Sequence, residues 1–121
     1  MKADRTVFVV DDESVICNTL VAILSHAGYS VTAFEDPKLA IKAAAEMAPD
    51  LLITDVMMPG MNGIELAIHF QDFYPKCKVL LFSGQAATAD LLIDARLRGY
   101  NFDLLGKPVH PTDLIARLEA L

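Results

Sequence analysis

Cysteine is scarce in this chain of 121 residues: Cys17 and Cys77 stand far apart, with no CxxC pair and no third or fourth partner. That excludes a disulfide scaffold and a zinc site of the usual spacing, and leaves two reduced thiols of the cytosolic kind. Positive charge is also short. Ten basic residues face 16 acidic ones, a net charge of −6, so direct binding of nucleic acid by this domain is not expected. No apolar run approaches the roughly 20 residues needed to span a bilayer. The first such run, Val7 to Val10, is short and ends in acids, which is not a secretory pattern. Repeats, linkers and low-complexity stretches are missing too. The expectation is a soluble, cytoplasmic protein without membrane contact, folded as one domain over residues 1–121.

What is present is a regular alternation. The 54% hydrophobic content supports a real core, and a chain this long buries about two-thirds of its unfolded surface. Thr6–Val10, Ser30–Phe34, Leu51–Asp55, Lys78–Phe82 and Asn101–Leu105 are short and rich in Val, Ile, Leu or Phe, as strands are. VFVV, LLIT and VLLF are almost continuously apolar, which predicts strands covered on both faces in a parallel sheet. Between them lie segments of helical period. In Ser14–Ala27 the apolar stripe reads Val15, Ile16, Leu20, Ile23, Leu24 and Ala27. Asp36-Pro37 is a helix start with an acidic cap and proline at the first turn, and that helix should reach about Met47. Asn62 with Glu65 gives a capping-box-like start for a third helix, to about Tyr74. Thr88 to Arg98 reads as a fourth, stopped by Gly99. Pro111 opens a fifth, with Leu114, Ile115, Leu118 and Leu121 on one face.

Strict βα alternation at this length implies an α/β, doubly wound, five-stranded parallel sheet with five helices on both faces. The strand order 2-1-3-4-5, flavodoxin-like, fits best, and it places ligands beyond the carboxyl ends of the first and third strands. The residues at those ends are distinctive. The first strand is followed by Asp11 and Asp12, the third ends in Asp55, the fourth in Ser83-Gly84 and the fifth in Lys107-Pro108. Neighbouring strands lie roughly 4.8 Å apart, so three carboxylates converge, and without compensation they raise one another's pKa. A divalent hard cation resolves the conflict. Few carboxylates plus water and a phosphate oxygen is the Mg²⁺ style of binding, and a carboxylate beside Mg²⁺ is a phosphoryl acceptor. Lys107 is long enough to reach inward, and Ser83 can donate a hydroxyl hydrogen bond. Lys107-Pro108 is a candidate cis peptide that aims the lysine across the sheet edge.

Taken singly these residues have plainer readings. Asp11-Asp12 suits a helix N-terminus, Asp55 a turn before Pro59-Gly60, Ser83-Gly84 a loop and Lys107 an exposed charge. Their placement at one edge argues otherwise. VVDDE, DVMMPGMNG, FSG and GKP, in this order, resemble the receiver domain of bacterial response regulators over essentially the whole chain, in the manner of chemotaxis receivers. The resemblance implies Asp55 as phosphoacceptor and Asp12 as a direct metal ligand. It implies Asp11 acting on the metal through water, and the Met57 backbone carbonyl completing the protein ligands. Ser83 becomes the switch hydroxyl and Lys107 the phosphoryl-binding lysine. The implied donor is a phosphohistidine on a sensor histidine kinase or histidine phosphotransfer protein. A downstream protein target or output domain, and a phosphorylation-linked dimer, are compatible with it.

The chain departs from the family pattern on the fifth strand. Leu104 stands where receivers usually carry Tyr or Phe, with Phe102 on the same face; the segment from Gly99 to Lys107 is one residue longer than expected, and Val109 follows the proline where Phe is frequent. These changes touch the aromatic route from phosphate to the fourth helix and fifth strand, and leave the phosphorylation chemistry alone. Met57 and Gln85, two residues after the acceptor and the serine, are expected to tune water access and phosphate lifetime. His26, His69 and His110 are scattered and form no metal-ligand pair. The competing reading is a Mg²⁺-dependent phosphohydrolase with an aspartyl nucleophile. Such enzymes usually have a second acid two residues after the nucleophile, where this chain has Met57, and no cap insertion is present. A flavin-binding domain fits less well, because the first βα loop carries acids where a phosphate cradle needs N–H groups. An enzyme turning over an external substrate is therefore not expected.

Overall fold

The structure, a computed structural model, describes residues 5–84, 88–107 and 110–121. Five strands alternate with five helices: β1 (Thr6–Val10), α1 (Ser14–His26), β2 (Ser30–Phe34), α2 (Pro37–Glu46), β3 (Leu51–Asp55), α3 (Gly63–Phe73), β4 (Lys78–Ser83), α4 (Thr88–Leu97), β5 (Asp103–Gly106) and α5 (Pro111–Ala120). The sheet is wholly parallel in the order β2-β1-β3-β4-β5, the doubly wound, flavodoxin-like arrangement that the alternation predicts.

Strand periodicity divides the core in two. Phe8, Val10, Leu52, Val79 and Leu81 pack against Ala40 and Ala44 of α2, Ile64, Leu66 and Phe70 of α3, and Ala95 of α4. Their alternating neighbours Val7, Val9, Leu51, Ile53, Leu80 and Phe82 pack against Leu20 and Leu24 of α1 and Leu114 and Leu118 of α5. Every residue of β3 is buried, as its unbroken apolar run requires. Among the described residues no helix is long and apolar enough to cross a membrane.

The caps follow the sequence signals. The Asp36 carboxylate accepts from the Lys38 amide at 2.9 Å, with Pro37 at the first turn of α2, and the Asn62 side chain accepts from the Glu65 amide at 2.9 Å. Gly99 takes a positive φ of 94° just beyond α4, which glycine adopts without a β-carbon penalty. His110 caps α5 through Nδ1, which accepts from the Thr112 amide at 3.3 Å.

Two expectations need correction. Val15 does not join the buried stripe of α1: it is 73% exposed, and the buried positions are Cys17, Leu20 and Leu24. At about 100° per residue Val15 lies roughly 140° from Leu20 around the helix. β5 begins at Asp103 rather than Asn101, because its pairing with β4 starts at Leu80–Asp103. Phe102 and Leu104 do share a face, both packing against the α2–α4 side of the core.

Candidate functional site

The carboxyl ends of β1, β3, β4 and β5 meet in one place. In register, Asp55 pairs with Phe82 and Phe82 with Leu105. Alternation therefore puts Asp55, Phe82, Leu105 and, two residues further on, Lys107 toward the α1–α5 side of the sheet. Asp11 follows β1 directly and is fully buried; Asp55 is 5% exposed, and Asp12 sits outside them, exposed. Oxygens of all three carboxylates lie within 4.8 Å of one another.

Each buried acid is held by specific contacts. One oxygen of Asp11 accepts the Glu13 amide at 2.8 Å and the other accepts from the Lys107 ammonium at 3.2 Å. The Asp11 amide donates to the Phe34 carbonyl, tying it to the end of β2, and the Cys17 thiol donates to the Asp11 carbonyl at 3.2 Å. Lys107 also pairs with Asp55, Nζ to Oδ1 at 3.4 Å. The backbone around Asp55 is equally constrained. Thr54 Oγ1 donates to its carbonyl at 2.9 Å, and Gly63, opening α3, donates its amide to the Val56 carbonyl at 2.8 Å.

The electrostatics follow from burial and crowding. Desolvation pushes the Asp55 carboxyl above its usual range, Asp11 adds to the rise, and Lys107 opposes it. For Lys107 burial alone favours the neutral amine. The hydrogen bond and charge of Asp11, together with Asp55, outweigh that and raise its pKa, so the ammonium persists. Two buried carboxylates sharing one ammonium, with a third at the rim, leave negative charge for a cation to neutralise. The donors are hard oxygens, the set that suits Mg²⁺ or Ca²⁺ rather than a soft metal. The cluster fits a divalent ion by its chemistry as well as its spacing.

The remaining predicted residues fall around this centre. Ser83 is buried at the end of β4, and its carbonyl accepts the Lys107 amide at 3.1 Å. Met57 lies in the loop after β3 and is 44% exposed. Gln85, Pro108 and Val109, which carry the expectations about phosphate lifetime, the cis peptide and the missing aromatic, lie outside the described residues. Three participants escaped the sequence reading. The Phe82 ring centroid lies 4.8 Å from Lys107 Nζ, the Cys17 thiol braces Asp11, and the Thr54 hydroxyl braces Asp55. Thr54 carried a signal, as the one polar residue before the acid in LLITD; Phe82 and Cys17 read as ordinary core.

Comparison with known proteins agrees with this fold. The family model described as "Response regulator receiver domain" matches residues 7–119. The response regulator receiver protein CpdR of Brucella abortus is 33% identical, with 97% of this chain and 96% of that protein covered. The transcriptional regulatory protein CreB of Escherichia coli is 31% identical over 97% of this chain, and the chain spans 50% of its length. It spans 24% of the E. coli DNA-binding transcriptional regulator NtrC, at 34% identity over 93% of this chain. Among solved structures, chemotaxis protein CheY4 of Vibrio cholerae superposes with a TM-score of 0.83 at 28% identity, covering 96% of this chain and 97% of its own. A protein of Neptuniibacter caesariensis reaches 0.88 at 32% identity, covering 97% of this chain and 86% of its own. On the strength of the matched residues and the shared fold, the chain belongs to the response regulator receiver family of two-component systems.

Proposed function

We propose that the chain takes a phosphoryl group onto Asp55 from a phosphohistidine of a sensor histidine kinase or histidine phosphotransfer protein, and that this changes which partner it binds. The observation that carries the reading is the position of Lys107, whose ammonium, reaching from the end of β5, spans Asp11 and Asp55 at 3.2 and 3.4 Å. A cation aimed at two buried carboxylates contributes little as a surface charge and much as a counter-charge for phosphoryl oxygens.

In the transfer, an Asp55 carboxylate oxygen attacks phosphorus in line and the bond from phosphorus to the donor imidazole breaks, its electron pair returning to that nitrogen. Burial makes the Asp55 carboxylate more basic, and Lys107 keeps it ionised enough to act. Lys107 then follows the new phosphoryl oxygens, and the Ser83 hydroxyl donates to them. Asp11, Asp12 and Asp55, with the Met57 carbonyl, would hold Mg²⁺. When bound, the ion supplies positive charge against the phosphoryl oxygens. The chain promotes its own phosphorylation and dephosphorylation without turning over an external substrate. Phosphorylation stabilises one of two loop arrangements around Ser83 and Lys107 and so alters binding to a downstream protein or output domain.

The test is direct. Incubated with Mg²⁺ and acetyl phosphate, the chain should gain one phosphoryl group by intact mass, lost on mild base treatment. Asp55→Asn should gain none. A label that persists in that variant would show that another residue is the acceptor.

A further inference from the structure

We propose that Phe82 is a positioning residue for Lys107, holding its ammonium over Asp55 through the face of the ring. The inference rests on the reading of Asp55 as phosphoacceptor and adds a residue to that site. Phe82 is paired in register with Asp55 on one side and Leu105 on the other, so its ring rises between the strand of the acceptor and the strand of the lysine. It is 2% exposed, and its centroid lies 4.8 Å from Nζ.

A lysine ammonium has three N–H donors and no acceptor. Asp11 and Asp55 take two directions; the ring covers another. The lysine stem and the ring together line an apolar recess of about 430 Å³ walled by α1, with Val15, Ile16, Thr19 and Leu20 among its neighbours. The lining of that recess is mostly hydrocarbon, and an aliphatic residue at position 82 would offer the ammonium nothing electrostatic. A ring offers the negative face of its quadrupole, and the attraction grows as water is removed. The Lys107 side chain, 18% exposed, could otherwise turn outward to solvent. The ring therefore restricts where the cation waits, which matters because charge stabilisation of the transferring group depends on a donor already in place.

The test separates the ring's charge from its bulk. In the full chain Phe82 is replaced by phenylalanines carrying one, two and three ring fluorines, which drain the ring face while nearly keeping its outline. Phosphorylation by acetyl phosphate with Mg²⁺ is timed by intact mass. The rate should fall with each fluorine, to about one tenth for the third, a change of about 1.4 kcal/mol. Phe82→Leu should fall at least as far, and Phe82→Tyr should recover most of the rate. Independently of phosphorylation, the Lys107 ε-methylene protons should resonate upfield from ring current in the unmodified chain and return to ordinary values in Phe82→Leu. Equal rates across the fluorinated series, or ordinary Lys107 shifts in the unmodified chain, would overturn the proposal and leave Phe82 a packing residue. Should the unmodified chain accept no phosphoryl group, the acceptor reading of Asp55 fails, and the proton shifts still decide whether the ring holds the lysine.

Discussion

Gly63 packs its α-carbon against the backbone of Asp55, so closely that a β-carbon there would overlap the Asp55 carbonyl oxygen. The start of α3 is thereby pressed onto the end of the strand that carries Asp55, the proposed acceptor. Gly63→Ala should cost about 3 kcal/mol, the upper range for overpacking, because the neighbour is backbone and cannot swing away. Gly60 is a useful contrast. Its φ is +78° with open space around the missing β-carbon, so Gly60→Ala should cost only about 1 kcal/mol, from the left-handed conformation itself. Urea unfolding of the two variants should show that ordering, and the Gly63 variant alone should also slow phosphorylation.

Removing the bridging ammonium should move two properties in opposite directions. Lys107→Met takes a positive charge away from Asp11 and Asp55, 3.2 and 3.4 Å distant. A divalent cation then meets less repulsion, and Mg²⁺ should bind several-fold more tightly by titration calorimetry. The counter-charge for the phosphoryl group is lost, so phosphorylation by acetyl phosphate should slow by about 100-fold. Weaker Mg²⁺ binding in this variant would mean that the lysine organises the carboxylates rather than competing for them.

The same crowding makes a pH prediction. Burial raises the Asp55 pKa above 3.8 in the folded chain, so the folded state holds that proton more tightly than the unfolded state. Its contribution to stability is fully present below the unfolded pKa and is lost as pH rises through the folded one. With metal chelated, the chain should therefore lose stability from this group as pH rises above about 4. Asp55→Asn should lack that loss and be the more stable protein near neutrality. Adding Mg²⁺ should restore the unmodified chain, by about 2.7 kcal/mol at one hundred times its dissociation constant. Urea midpoints with and without chelator across this range decide the matter.

The sequence carried most of the fold because local and tertiary signals agree here. Asp36-Pro37 and Asn62 mark helix starts by chemistry that is local, and both caps form as those residues require. The apolar runs of β1, β3 and β4 could only belong to strands covered on both sides. The convergence of Asp11, Asp55 and Lys107 was legible because parallel pairing places like strand ends together. Less local facts were hidden. The start of β5 depends on where its pairing with β4 begins, at Leu80–Asp103, and Val15 was grouped with Ile16 by composition although its angle on α1 points it to solvent. The ring of Phe82 beneath Lys107 depends on register between β4 and β5, which apolar pattern alone does not fix.

Two thiols that look unremarkable in sequence yield a final prediction. Cys17 and Cys77 are free and buried. Burial pushes both thiols up, Cys77 to about 12, with Asp50 adding to the effect there. Because the thiolate is the reactive form, labelling by a disulfide reagent at pH 8 should be slow in the folded chain and fast in urea. The linkage has a definite sign. An unfolded Cys77 titrates near 9.0 while the folded one keeps its proton, so the stabilising contribution is whole below that value and lost as pH rises toward the folded pKa. Urea midpoints of the unmodified chain should then fall faster above pH 9 than those of Cys77→Ala, by at most about 1.4 kcal/mol per pH unit. Other groups titrate in that range too, which is why the difference between the two proteins is the quantity to follow. Parallel pH profiles would show that Cys77 keeps no special protonation in the fold.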